Sequence, residues 1–292
     1  MIWQDYRKLY ANALKQYSPK FKKELQNQVN TYCRTLDYNA ISDKAIKKTI
    51  QKLHLAMGVK MAQISSKVVK RSVKGHYEAF EVKSAETDLF AYTILQYLQT
   101  QGLDQLASDI TNTTKEQIRR YLIQSAEQNL TLPESIALLR NAGITDYRAE
   151  LIARTETGRA ANIGSMVGAT STGLVTVKEW IAAKDNRTRR IPRDQFDHLN
   201  MDGTKIPMDA TFKLQNKKGG FDFMLHPCDS SGSAGDVCNC RCTLGYEAQR
   251  DKNGKLLKLQ DNPPKGNVGM IWGILTNVVG MQIGRLIADL FE

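Results

Sequence analysis

Seven apolar residues, Ile46, Ile50, Leu53, Met57, Met61, Ile64 and Val68, recur at spacings of three and four, which predicts a long helix with one apolar stripe. Two downstream pairs read as capping boxes, in which a Thr hydroxyl and a Glu or Gln side chain satisfy each other's backbone N–H groups. They are Thr114 with Gln117, ahead of Ile118, Tyr121 and Leu122, and Thr131 with Glu134; Gly143 is placed to end the second helix. Ser18-Pro19 predicts a break between two helices, because proline lacks an N–H and disfavours helix in the residue before it. Leu174–Ala182, Phe221–Leu225 and Cys242–Tyr246 are short runs of branched and aromatic residues between turns and predict strands. Only Pro19 and Pro133 of the seven prolines, and eight of the twenty glycines, precede residue 174. The pattern predicts an α+β protein: a mostly helical region over 1–173, a small strand-and-loop domain over 174–250, and a linker with an apolar, glycine-rich tail over 251–292. There is no internal repeat.

The 292 residues give room for about two domains. A hydrophobic share of 41% excludes a fully disordered chain. The net charge of +11 is concentrated at one end: residues 1–90 hold 17 Lys/Arg against 8 Asp/Glu, and the rest 24 against 22. Between Lys44 and Tyr77 stand nine cations (Lys44, Lys47, Lys48, Lys52, Lys60, Lys67, Lys70, Arg71, Lys74) and no acid. An ordinary solvated helix mixes signs to gain pairs four residues apart. The run reads either as a solvated face of a basic protein or as a surface for phosphates or an acidic protein, and no aromatic residues are interleaved to stack single-stranded bases. The opening Met1-Ile2-Trp3-Gln4-Asp5-Tyr6 shows no secretory pattern, so the five cysteines are expected as thiols or metal ligands.

Four of those cysteines fall within fifteen residues: His226-Pro227-Cys228-Asp229 is followed by Cys238-Asn239-Cys240-Arg241-Cys242, with His198 upstream. Thiolate and imidazole suit tetrahedral zinc, and a small loop-rich domain gains stability from such a site. Two alternatives stand beside it. The cysteines can be buried in a strand with Cys240 and Cys242 on one face, or Cys228 and Cys238 can form a disulfide. A second constellation, Asp185, Arg187 and Arg189 with His198 and Asp202, reads either as turn-capping acids paired with arginines or as the site of a metal-dependent phosphodiester or nucleotide enzyme built on Asp185, Arg187, His198 and Asp202. His54 and His76 receive no role, and Cys33 reads as a small core residue.

An ordered set of motifs runs through the chain: Arg154-Thr155-Glu156 with Asn162, Lys178-x-Trp180, Asp185-x-Arg187-Thr188-Arg189, His198 with Asp202-Gly203, Pro227-x-Asp229 with Gly232 and Ala234, and Asn239-Cys240-Arg241-Cys242. Over about residues 150–246 it resembles the phage Mu F-type minor head proteins, also called phage head morphogenesis proteins. The resemblance implies a minor capsid protein of a tailed bacteriophage, with no settled enzymatic activity. Such a protein is assembled in the host cytoplasm, resides in the virion near the portal, and acts in head assembly or genome delivery. Its expected partners are the portal, the major capsid protein and packaged double-stranded DNA. The chain departs from the family pattern in the insertion Arg190–Asp197, in cysteines at 228 and 238, and in His226 where an aromatic is commoner. Expected metal ligands are therefore His198, Cys240 and Cys242, carried over from the motif, with Cys228 added from local spacing.

Asn267–Gly284 carries no charge and holds two Gly-x-x-x-Gly pairs, Gly269/Gly273 and Gly280/Gly284. At eighteen residues with several polar side chains it is marginal as a membrane span, and it reads better as a helix packing on a protein surface.

Overall fold

The computed structural model describes residues 2–73 and 86–277. Six helices come first: α1 (Ile2–Thr35), α2 (Lys44–Ser72), α3 (Glu86–Thr100), α4 (Leu103–Glu127), α5 (Leu132–Asn141) and α6 (Ile144–Thr170). Five strands follow, β1 (Thr176–Ile181), β2 (Lys205–Pro207), β3 (Phe212–Gln215), β4 (Phe221–Met224) and β5 (Thr243–Ala248), with a single turn of helix α7 (Ala234–Val237) before β5 and a last helix α8 (Gly266–Asn277). The basic run past Val73, His76, and the second glycine pair of the tail lie outside the described residues. No described helix is long and apolar enough to cross a membrane.

The stripe on α2 buries Ile46, Ile50, Leu53, Met57 and Met61, as its spacing predicts. Further along, Ser65, Ser66 and Val69 turn inward and Ile64 and Val68 become half-buried. Thr131 and Glu134 form their capping box, and Gly143 sits at φ +57 between α5 and α6, in the left-handed region glycine tolerates. Thr114 does not start a helix. It lies inside α4, which begins after left-handed Gly102, and its hydroxyl bonds back to the Ile110 carbonyl at 3.1 Å. The break expected at Ser18-Pro19 is also absent: α1 runs through Pro19 because Tyr10, Ala13, Tyr17, Phe21 and Leu25 form one buried stripe on both sides of it, and this packing outweighs one lost backbone bond.

Two core clusters meet along α6. One joins α1, α2 and α4 to the first half of α6, and the other joins its second half to the strands and α8. From Thr155 to Thr170 every residue of α6 is buried. A helix without a solvent face needs small residues to admit its neighbours. Gly58 and Ala62 of α2 meet Gly164 and Gly168 of α6, and a Cβ at either α6 glycine would fall far inside contact distance of the α2 backbone. Alongside, the Ser65 and Ser165 hydroxyls bond at 2.8 Å.

Strand β1 pairs antiparallel with both β2 and β5. Its inward side chains are Thr176, Lys178 and Trp180. Strands β3 and β4 form a separate hairpin. Residues 251–262, expected as a linker, continue the packing: Val175 N–H donates to the Leu257 carbonyl at 2.9 Å, Leu259 N–H donates to Gly173 at 2.8 Å, and the Leu259 side chain is buried. Helix α8 buries Val268, Ile271 and Leu275 in the same core.

A buried polar triad ties α2 to α6. His54 Nε2 lies 3.2 Å from Glu156 Oε2, and Arg159 donates to Glu156 at 2.7 Å and to the Cys228 carbonyl at 3.0 Å. Burial would raise the Glu156 carboxyl, but Arg159 and His54 outweigh it and hold it low; burial lowers His54. The ring therefore stays neutral and donates from Nε2, while Nδ1 has no hydrogen-bond partner among the described residues.

Two outcomes follow from this packing. In an open helix Gly→Ala gains about 1 kcal/mol, whereas forcing backbones apart costs about 1–3 kcal/mol or more. Gly164→Ala and Gly168→Ala should therefore each lower the thermal midpoint; a raised midpoint would contradict the close crossing. For His54 the sign is set by its depressed pKa. The unfolded ring takes up a proton below about 6.5 while the folded ring resists it. Stability should fall as pH drops through that value, and His54→Gln should flatten the slope between about pH 6.5 and 5 in melts followed by circular dichroism.

Candidate metal centre

Three segments supply the centre: the loop before β2, the turn of α7, and the approach to β5. His198 is positioned by its backbone N–H donating to the Arg189 carbonyl at 3.0 Å, with its ring edge-on to Trp180 at 5.4 Å between centroids. Its Nδ1 faces two sulfurs, Cys240 Sγ at 3.4 Å and Cys242 Sγ at 3.6 Å. One ligand atom from each of these three buried residues lies within 4.8 Å of the others. The other ring nitrogen, Nε2, bonds the carboxylate of Asp236, which is fully buried in α7 and whose second oxygen has no partner among the described residues. A histidine held from behind by a carboxylate, with its free nitrogen facing thiols, is the arrangement metal-binding histidines adopt. All five cysteines are free thiols, which removes the Cys228–Cys238 disulfide.

Charge is distributed unevenly in the cluster. The Cys228 and Cys242 thiols donate to Cys240 and, against burial, lower its pKa well below the ordinary thiol value. Those contacts and burial raise Cys228 and Cys242. Burial would lower His198, but the Cys240 thiolate and Asp236 raise it to about 9. The shifts thus oppose each other: Cys240 is held low while Cys228, Cys242 and His198 are held high.

Cys228 stands beside this group rather than in it. Its Sγ is 3.5 Å from the Cys240 carbonyl oxygen, and it lies against α6 at Gly158, where an added Cβ would be 2.6 Å from the sulfur. His226 and Cys238, the other two candidates for the ligand set, are not brought in. His226 Nδ1 turns to the Pro227 carbonyl at 2.9 Å beside Asp229, and Cys238 is half-exposed on the far side of the turn.

Most of what builds the centre comes from α6. Asn162 Nδ2 donates to the Pro227 carbonyl at 3.0 Å and the Cys242 carbonyl at 3.3 Å, and its Oδ1 accepts from Thr243 at 3.2 Å. Thr155 Oγ1 accepts the Asn239 N–H at 3.1 Å, and Arg159 holds Cys228. Lys178, buried beneath the sheet, donates to the Leu225 carbonyl at 2.7 Å; burial pushes it down to about 7 against the pull of Asp229 and Asp209. Asp236 and Arg159 were not legible as parts of the centre, since Asp236 lies in a polar turn and Arg159 in a helix of small residues. The carboxylate behind the histidine is the one signal the chemistry would have demanded.

The two acids of the enzymatic reading have ion-pair partners outside it. Asp185 pairs with Arg241 and caps the Arg187 N–H, whereas Arg189, expected as its partner, donates to the Cys238 carbonyl. Asp202 pairs with Lys184 at 2.6 Å and accepts the Ala182 N–H at 2.9 Å. Arg187 is exposed, and His198 is committed to Asp236 and the thiols. A cleft of about 730 Å³ between α4, α6 and the 230–238 segment is lined by Arg148, Thr155, Arg159, Val237 and Cys238, but by none of His198, Cys240 and Cys242.

No curated protein and no solved structure matches the chain. Residues 107–245, from within α4 to β5, match the family model described as Phage Mu protein F like protein. The motifs of α6, β1 and the cysteine cluster all lie inside that segment, and over this stretch the chain resembles the phage Mu F-like family.

Proposed function

We propose that this protein is a minor head protein of a tailed bacteriophage, acting near the portal in head assembly or genome delivery, with a zinc ion closing its strand-and-loop region. The family match over residues 107–245 carries the first part of this reading. The geometry around His198 supports the second. His198, Cys240 and Cys242 would supply three ligands, and Cys228, whose sulfur already approaches Cys240, would supply the fourth. Bound zinc contributes folding energy by tethering its ligands and keeps thiolates deprotonated. Three thiolates and an imidazole exclude the hard cations, which prefer oxygen.

The basic face of α2 is the proposed contact for packaged double-stranded DNA or an acidic face of the portal or major capsid protein. The structure revises which cations are available. Lys47 pairs with Asp104 of α4 at 2.5 Å and Lys70 with Glu86 of α3 at 3.5 Å. Lys44, Lys48, Lys52, Lys60 and Lys67 are exposed, with no ion pair among the described residues. The face is composed of lysines, which attract phosphate as point charges without bidentate reading of bases.

Protein purified without chelator should contain close to one zinc per chain by elemental analysis. Cys240→Ser and Cys242→Ser should lose it, and Asp236→Asn should weaken it about 10–100-fold through the misoriented histidine. Metal-free protein with an unchanged melt after chelation would remove the centre. Binding to duplex DNA should be independent of sequence, with a log–log salt slope of about −0.9 per phosphate neutralised. Lys48→Gln, Lys52→Gln, Lys60→Gln and Lys67→Gln together should flatten that slope. If neither DNA nor purified portal binds at low salt, or if the quadruple variant binds like wild type, the lysines form only a solvated face.

A further inference from the structure

The β3–β4 hairpin turns Phe212, Leu214 and Met224 into the core, so strand alternation turns Lys213, Gln215, Phe221 and Phe223 to solvent. Phe221 is 44% exposed and Phe223 52%, two rings two residues apart on one strand face. Single exposed apolar residues are ordinary, but adjacent aromatic rings on a formed sheet face mark a binding surface. Both edges of the hairpin are occupied. Asn216 bridges to Phe196 and the Lys217 N–H donates to Gln195 at 2.9 Å; on the other side Ser231 Oγ donates to the Phe223 carbonyl at 3.0 Å, and Ser233 bonds the Asp222 carboxylate at 2.7 and 2.8 Å. The open face of the hairpin is what it offers to a partner.

That face is cationic. The Lys213 ammonium rests 3.9 Å from the centroid of the Phe221 ring, and exposed Lys217 and Lys218 form the tip. The neighbouring loop, joined to the tip through Gln195, carries exposed Arg187 and Arg190. The hairpin's only acid, Asp222, is engaged by Ser233. Rings that accept a π-face, set among cations without a free acid, complement a polyanion whose bases are unstacked. We propose that the exposed face of the β3–β4 hairpin binds single-stranded nucleic acid, with Phe221 and Phe223 stacking on bases and Lys213, Lys217 and Lys218 holding phosphates. A duplex hides its base faces and would engage the lysines alone. Helix α2 differs in having cations without exposed rings, so the proposal is independent of the DNA contact assigned there.

The test uses the full chain and a fluorescein-labelled 20-nucleotide oligo-dT, followed by anisotropy at low salt. Stacking is worth about 1–3 kcal/mol per base, so Phe221→Ala and Phe223→Ala should each weaken binding by about 5-fold or more. The double Phe→Tyr variant should bind like wild type, and Lys217→Gln with Lys218→Gln should reduce the salt slope. Duplex of the same length, and vesicles containing phosphatidylglycerol, should be indifferent to loss of the rings. The proposal is overturned if oligo-dT does not bind or if the alanine variants bind it as wild type does. It also fails if loss of the rings weakens duplex or vesicle binding equally.

Discussion

Backbone contact between α2 and α6, at Gly58 against Gly164 and Ala62 against Gly168, puts α6 at the centre of the molecule with neighbours on every side. Between Thr155 and Thr170 polar side chains have no water to turn to, and an unpaired buried group costs about 1–3 kcal/mol and a charged one more. Asn162, Thr155 and Arg159 meet that demand by bonding the backbone of the 227–242 segment. The same bonds that satisfy the helix position Cys240 and Cys242 opposite His198. Packing in the helical half and geometry in the cysteine cluster are one problem solved once.

Two buried charge networks share that segment. His54, Glu156 and Arg159 end on the Cys228 carbonyl, while His198, Asp236 and Cys240 lie on the other side of the same loop. Each sets complementary groups together: a carboxylate beside a guanidinium in the first, and an imidazole between a carboxylate and a thiol in the second.

Local chemistry was legible where it decides local structure. The α2 stripe, the Thr131–Glu134 box, Gly143 and three of the five strands follow from spacing, capping and turn residues alone. It misled where tertiary burial outweighs propensity, as at Pro19, carried through by the α1 stripe, and at Thr114, whose hydroxyl is satisfied within α4. Lys178 is the clearest case, since nothing in an alternating strand announces that the lysine faces inward. Of the cysteine cluster, the motif residues His198, Cys240 and Cys242 converge. His226 does not, because the two residues that separate it from Asp229 form a turn that closes on itself. Asp236, 38 residues from its histidine, could only be found in three dimensions.

The segment that matches the phage Mu F-like model contains both α6 and the cysteine cluster of this protein. Its α6 scaffold is open to a direct measurement. Hydrogen exchange on Asn162→Ala should show amides of 226–243 exchanging many times faster while α1 and α2 keep their protection, because one side chain carries three of the bonds that fix that segment. Unchanged protection at 226–243, or a uniform loss across the whole chain, would contradict the claim that α6 builds the site through these bonds.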